Sequence, residues 1–158
     1  MQQLLIIGAL IILGSLVLTF NRSTQNVNAN NLFNIALIDA TASAQSLIEG
    51  IQTKAFDEKT VSTNVSSASE LTTTGSLGPD VGETVTTQFD DIDDYKNYTE
   101  IDSFKQFGAF SLSVEVNYVQ KYSPETVSST PTFLKKVDVT VTNPFLVHSL
   151  TLSRIISY

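Results

Sequence analysis

The sequence predicts an α+β fold in which one very long N-terminal helix lies with its second half on an antiparallel sheet of three to four strands. Three observations carry this reading. Leu4 to Phe20 contains no charge and no proline. Apolar residues recur at helical spacing from Phe33 to Ile51. In the C-terminal half, apolar and polar residues alternate with a period of two, in stretches separated by turn residues.

The first stretch organises the rest. As a helix, Leu4 to Phe20 rises roughly 25 Å, close to the hydrocarbon thickness of a bilayer. In lipid the backbone must satisfy its own hydrogen bonds, so a single span is a helix. Gly8, Gly14 and Ser15 lie within the run, and small residues allow close helix approach where lipid supplies no hydrophobic drive. Beyond Arg22 the segment STQNVNANN is polar and asparagine-rich. Asparagine is a poor helix former, so melting or a bend is expected there.

The amphipathic pattern then resumes. Phe33, Ala36, Leu37, Ala40, Ala44, Leu47, Ile48 and Ile51 define one face, and Asn34, Asp39, Ser43, Ser46, Glu49 and Gln52 the other. The sequence therefore divides into residues 1–27, an apolar half-helix for membrane or filament core, and a soluble head of 28–158. The head includes an amphipathic half-helix, 28–54.

Residues 57–80 have no periodicity and are rich in Ser and Thr, which reads as a long surface loop. Val81 to Thr87 reads as a short strand, and FDDIDDYKNYTEID as an acidic connection. Phe110, Leu112, Val114, Val116 and Tyr118 alternate with polar residues, as do Val137, Val139 and Val141. YSPETVSSTPT between these runs reads as a polar loop. A last strand covers Ser149 to Tyr158, with Leu150, Leu152 and Ile155 inward. Consecutive hairpins give a sheet with one wet face, and the amphipathic half-helix covers the dry one.

Charge and composition narrow the partners. With 9 Lys and Arg against 16 Asp and Glu, the net charge is -7. An acidic surface argues against nucleic acid and anionic headgroups. With Cys 0 there is no disulfide framework and no thiolate chemistry.

Candidate chemistry is sparse. His148, the sole histidine, follows Asn143-Pro144 in a turn, and there is no G-x-S-x-G elbow to accompany it. Nothing points to an enzyme or to an organic cofactor. Asp90, Asp91, Asp93 and Asp94 place four carboxylates within five residues, and clustered oxygen ligands suit calcium. The EF-hand pattern fails, because Tyr95 replaces the glycine at the sixth position and Ile101 the glutamate at the twelfth. The alternatives are a solvated acidic loop or one that caps neighbouring backbone. Asn21, Asn64 and Asn97 begin N-x-S/T sequons and are candidate glycosylation sites. The Ser/Thr-rich stretch 60–76 is compatible with O-linked sugar. Tyr95, Tyr98, Phe104, Phe107 and Phe110 read as core filling rather than a ligand platform.

The layout resembles type IV pilins and pseudopilins over the whole chain. QSLIEGIQTKAFDE at 45–58, FDDIDDYKNYTE at 89–100, FSLSVEVNYV and LKKVDVTVTNP are similar to a minor-pilin branch of mannose-sensitive haemagglutinin-type pili. The resemblance implies a leader removed by a prepilin peptidase and a pilus assembly machinery as partner. It implies anchoring in the inner membrane before assembly, and afterwards a place in an extracellular filament at the cell surface. Some pseudopilins also hold calcium in a loop of the head. Two features depart from the family. Most bacterial pilins begin with Phe and carry Glu at the fifth mature position, whereas Met1 and Leu5 stand here, and the usual mid-helix proline is absent. Met1 is thus either a processed end or preceded by residues outside this sequence.

The function expected is a structural filament subunit that polymerises with copies of itself. Its core would be formed by Leu4, Leu5, Ile6, Ile7, Leu10, Ile11, Leu13, Gly14, Val17 and Leu18. The alternative is a membrane-anchored extracytoplasmic binding domain, either a monomeric receptor or a secretion-system pseudopilin.

Overall fold

The structure, a computed structural model, describes residues 2–158; Met1 and the side chains of Leu4 and Ala29 lie outside the described part. Helix α1 runs from Gln2 to Gln52, 51 residues, a length of about 77 Å at 1.5 Å per residue. It is helical throughout the asparagine-rich stretch, where melting or a bend was expected. Propensity differences of a few tenths of a kcal/mol per residue do not break a helix flanked on both sides by good turns. Hydroxyls nearby bond within the helix rather than against it. Ser15 donates to the Ile12 carbonyl (2.8 Å), Thr19 to Ser15 (2.8 Å) and Thr24 to Phe20 (3.1 Å).

The remaining elements are α2 (Glu58–Ser62), β1 (Thr99–Phe104), β2 (Gly108–Gln120), β3 (Ser123–Val127), β4 (Leu134–Thr142) and β5 (Leu150–Ser157), with short 3₁₀ turns at Ala68–Glu70 and Asp93–Tyr95. The sheet has five strands in the order β1-β2-β4-β5, with β3 paired to β2. Every strand pair is antiparallel. The fold is thus α+β, a long helix packed against an antiparallel sheet.

Register follows from the alternation. Leu112 opposes Val141, Val114 opposes Val139, Val116 opposes Val137 and Tyr118 opposes Lys135. These side chains face the helix and are buried, while Ser111, Ser113 and Glu115 face out. A one-residue slip would turn the whole set to water, so the pattern fixes the register. On α1, Ala36, Ala40, Ala44 and Ile51 are fully buried, and the helix packs on β4 and β5. Alanine at these contacts lets the helix axis sit close to the sheet.

Several expectations need correction. Val81 to Thr87 forms turns, not a strand. Its backbone is satisfied locally: the Glu83 amide donates to the Asp80 carbonyl (3.1 Å), and the Thr84 and Val85 amides donate to Gln88 Oε1 (2.8 and 3.2 Å). The loop after α1 contains α2, and the polar segment after β2 contains β3. The acidic connection ends inside β1. Ser43, expected on the outer face, is buried and donates to Asp102 of β1 at 2.7 Å. On β5, Ile156 takes the inward position opposite Lys135, and Ile155 faces out opposite Lys136. The aromatics do fill the core. Phe89, Tyr95 and Tyr98 meet edge to face at 5.0 to 5.9 Å, and Phe104 and Phe107 pack on Phe110.

Because Ala40 sits flush against the sheet, Ala40→Leu should overpack the contact and lower stability by about 1–3 kcal/mol. Urea unfolding followed by near-ultraviolet circular dichroism measures this; an unchanged midpoint would refute close helix–sheet contact.

Candidate functional site

Two regions stand out: the junction where the end of α1 meets the acidic turn, and the exposed apolar length of α1.

The junction is built by backbone pairing. The Ala55 amide donates to the Asp90 carbonyl (3.0 Å) and the Ile92 amide to the Ala55 carbonyl (3.0 Å). This short parallel bridge lays residues 55–58 beside residues 90–94. At its inner end lies Lys135 of β4, with no exposed surface. Its ammonium donates to the Phe56 carbonyl (2.7 Å), to Asp57 Oδ2 (3.0 Å) and to Asp93 Oδ1 (2.5 Å). It also lies over the rings of Phe56 and Tyr118, at 4.8 and 5.0 Å.

Asp57 is the most connected carboxylate. It caps α2 through the Lys59 amide (3.2 Å), in a reciprocal capping box with Thr60. It also accepts from the amide and hydroxyl of Thr72 (3.0 and 2.9 Å) and from the Tyr118 hydroxyl. Burial alone would raise its pKa. The Tyr118 hydrogen bond, the charge of Lys135 and the Thr72 amide outweigh that and hold it below the usual value. Burial, and then the same contact, push the Tyr118 hydroxyl well above the ordinary tyrosine range.

The four aspartates of the expected calcium cluster do not act together. Asp93 is drawn inward to Lys135. Asp90 is exposed. Asp91 and Asp94 are buried and cap the turn. Asp91 Oδ1 accepts from the amides of Asp93 (2.7 Å) and Asp94 (3.2 Å), and Asp94 Oδ2 from those of Asp90 (3.0 Å) and Asp91 (3.1 Å). The solvated-loop alternative is therefore overturned for three of the four, and the backbone-capping alternative describes Asp91 and Asp94. Burial, with the charges of Asp93 and Asp94 beside it, pushes Asp91 up to about 9. Burial likewise lifts Asp94 to about 7. The structure brings two other acids to this turn. Carboxylate oxygens of Glu58, Asp90 and Asp91 lie within 4.8 Å of one another, as do those of Glu83, Asp90 and Asp94. Gly82, at φ +108, turns the chain just before Glu83.

Sequence reasoning missed Lys135, Asp57, Glu58, Glu83 and Tyr118 as members of one assembly. For Lys135 the signal was present: counting back by two from Val141, Val139 and Val137 places it on the buried face. For Glu58 and Glu83 no local pattern shows that residues 25 apart in sequence converge.

His148 is exposed in the turn between β4 and β5. Asn21, on α1, Asn64, after α2, and Asn97, in a turn at φ 61, are all exposed.

The apolar length of α1 is exposed along its whole circumference. Leu5, Ile6, Ile7, Leu10, Ile11, Leu13, Val17 and Leu18 are each more than half exposed. The most apolar 18-residue window of α1 has a mean hydropathy of 2.0 with none of it buried, so the helix is long and apolar enough to cross a membrane. Gly14 has open space where a side chain would stand.

Removing the ammonium strands two buried carboxylates, so Lys135→Met should destabilise the head by about 3–5 kcal/mol. A thermal or urea midpoint equal to that of the unsubstituted protein would contradict a buried ion triad. Among known proteins, the chain matches no family model, no curated protein and no solved structure.

Proposed function

We propose that this chain is a structural subunit of an extracellular filament of the type IV pilus kind, held in a membrane before assembly and polymerising through α1. The observation that carries the reading is the apolar surface of α1 beyond any membrane span. A span uses about 20 residues. Leu32, Ile35 and Ile38 lie roughly 18 to 27 Å past Phe20 along the helix. They recur at three-residue spacing and are exposed, Ile38 by 66%. Ala36 and Ala40 meanwhile face the sheet, and Ile38 stands about 160° around the helix from both, so it looks away from the head. A simple tether needs no apolar side chains there. A neighbouring helix staggered along the same direction does.

Other features support assembly over anchoring alone. Gly8 and Gly14 present backbone at the surface, where close helix packing uses it. Packing one copy against an axially shifted copy is a heterologous contact, which extends into a helical polymer when it does not close. The head keeps its own core, so polymerisation need not disturb it.

The test uses producing cells. A Cβ at Gly14 would meet nothing beyond its own helical turn within 4 Å, and Ile38 is exposed, so neither Gly14→Leu nor Ile38→Glu should disturb the head. Both should abolish fibres in sheared surface material, seen by electron microscopy, while the protein still fractionates with membrane. Fibres undiminished by both substitutions would overturn the reading, and so would an unsubstituted protein that stays dispersed on cells without fibres.

A further inference from the structure

Lys135 carries the inference. Its ammonium has no exposed surface and lies 2.5 Å from Asp93 Oδ1, closer than the about 2.7–2.9 Å usual for an ammonium on a carboxylate. Asp93 is itself only 2% exposed. An amine and a carboxyl group in contact and out of water are the two halves of an amide. In bulk water their condensation is opposed, because water competes and both ions are well solvated. In a dry core that solvation is lost, and the reacting groups are oriented before the reaction begins.

The two carboxylates on Lys135 differ. Asp57 also accepts from the Lys59 amide, the Thr72 amide and hydroxyl and the Tyr118 hydroxyl, which hold it as the anion. A carboxylate so stabilised resists attack. Asp93 accepts from Lys135 alone among the described residues. Its neighbour is the carboxyl group of Asp91, close enough for a hydrogen bond between the two. Asp91 Oδ1 is taken by the amides of Asp93 and Asp94, whereas Oδ2 has no partner. Burial, and then the charge of Asp93, push Asp91 up to about 9, so it keeps its proton near neutral pH. With Oδ1 accepting from two amides, that proton sits on Oδ2.

We propose that Lys135 and Asp93 condense into an isopeptide bond that cross-links β4 to the acidic turn. The ammonium passes one proton to Asp93, which leaves a neutral amine against a neutral carboxyl group. The nitrogen attacks the carboxyl carbon and the C–N bond forms. A second nitrogen proton goes to Asp57 Oδ2, 3.0 Å away. Asp91 gives its proton to the departing hydroxyl, the C–O bond breaks and water leaves, returning the proton from Asp57 to Asp91 on its way. An ammonium and a carboxylate thus become one amide and one water, and nothing is oxidised or reduced. The ion triad that assembles on folding is the precursor, and the product has two buried charges fewer. The new amide carbonyl gives the Asp91 proton an acceptor. With Cys 0 the chain has no disulfide, and this bond closes residues 93–135 covalently in its place. It concerns the head alone, so it stands or falls separately from filament assembly.

The experiment takes the full chain purified in detergent and measures its intact mass and its tryptic map under denaturing conditions. The protein should be lighter by one water than its sequence, counted from the N-terminus that the map establishes. Trypsin does not cut after an acylated lysine, so residues 122–136 should stay joined and appear linked to residues 60–96. Fragmentation of that pair should place the bond between Lys135 and Asp93. Asp93→Ala should carry its full sequence mass. Asp91→Asn keeps the Oδ1 acceptor for the turn amides and a hydrogen-bond donor, but has no acidic proton to give. It should fold and form the bond about 10²-fold more slowly, read as the linked fraction over time after synthesis is stopped. Folded, unsubstituted protein at its full sequence mass, with residues 60–96 released as a free peptide, would refute the bond. A link from Lys135 to Asp57 would overturn the choice of Asp93. An Asp91→Asn chain linked as fast as the unsubstituted one would remove Asp91 from the reaction.

Discussion

The head is held together at one buried ammonium. Lys135 enters the core from β4 at the position opposite Tyr118 and binds three oxygens from two segments distant in sequence. A charge without water demands compensation, and the chain must bring Asp57 and Asp93 to it in the same place. That requirement fixes where α1 ends, where α2 begins and how the acidic turn lies on the sheet. An apolar side chain at this position would fit many arrangements of the same segments; an ammonium with two carboxylates fits few. The Ala55–Asp91 bridge and the Asp57 capping box follow from the same convergence.

Around that point α1 serves two surfaces at once. Its alanine face is flush with β4 and β5. Its first turns, through Phe20, are apolar without a partner in the chain, and Leu32, Ile35 and Ile38 stand exposed beyond them. A folded domain ordinarily hides such a surface, because each Å² of apolar area left in water forfeits about 25 cal/mol. The two demands separate along the helix. Close packing on the sheet needs small residues from Ala36 to Ala44, while the exposed length carries Leu, Ile and Val, with glycines at Gly8 and Gly14. The polar stretch between them stays helical because it is flanked on both sides, not because its own residues favour it.

Acid residues are divided by what they face. Asp57 and Asp93 answer Lys135. Asp91 and Asp94 answer backbone amides of the turn, and Glu58, Glu83 and Asp90 crowd against them from outside. Four aspartates adjacent in sequence thus take three different environments. Spacing along the chain says that carboxylates are close; only the direction of each side chain decides whether it meets an ammonium, an amide or another carboxylate.

The sequence by itself determined the long helix, its apolar and amphipathic halves, and the inward faces of β2 and β4. These are properties of one segment at a time, set by periods of 3.6 and 2 that any reader of the chain can count. It also placed Lys135 on the buried face, had the alternation been followed past Val137. Tertiary structure alone decided the rest. The turns at Val81–Thr87 replace a strand because Gln88 reaches back to their amides. Ser43 is buried because Asp102 waits across from it. The partners of Lys135, and the meeting of Glu58 with Asp90 and Asp91, arise between segments more than thirty residues apart. Their energy depends on mutual distance and burial, and neither exists until the chain has folded.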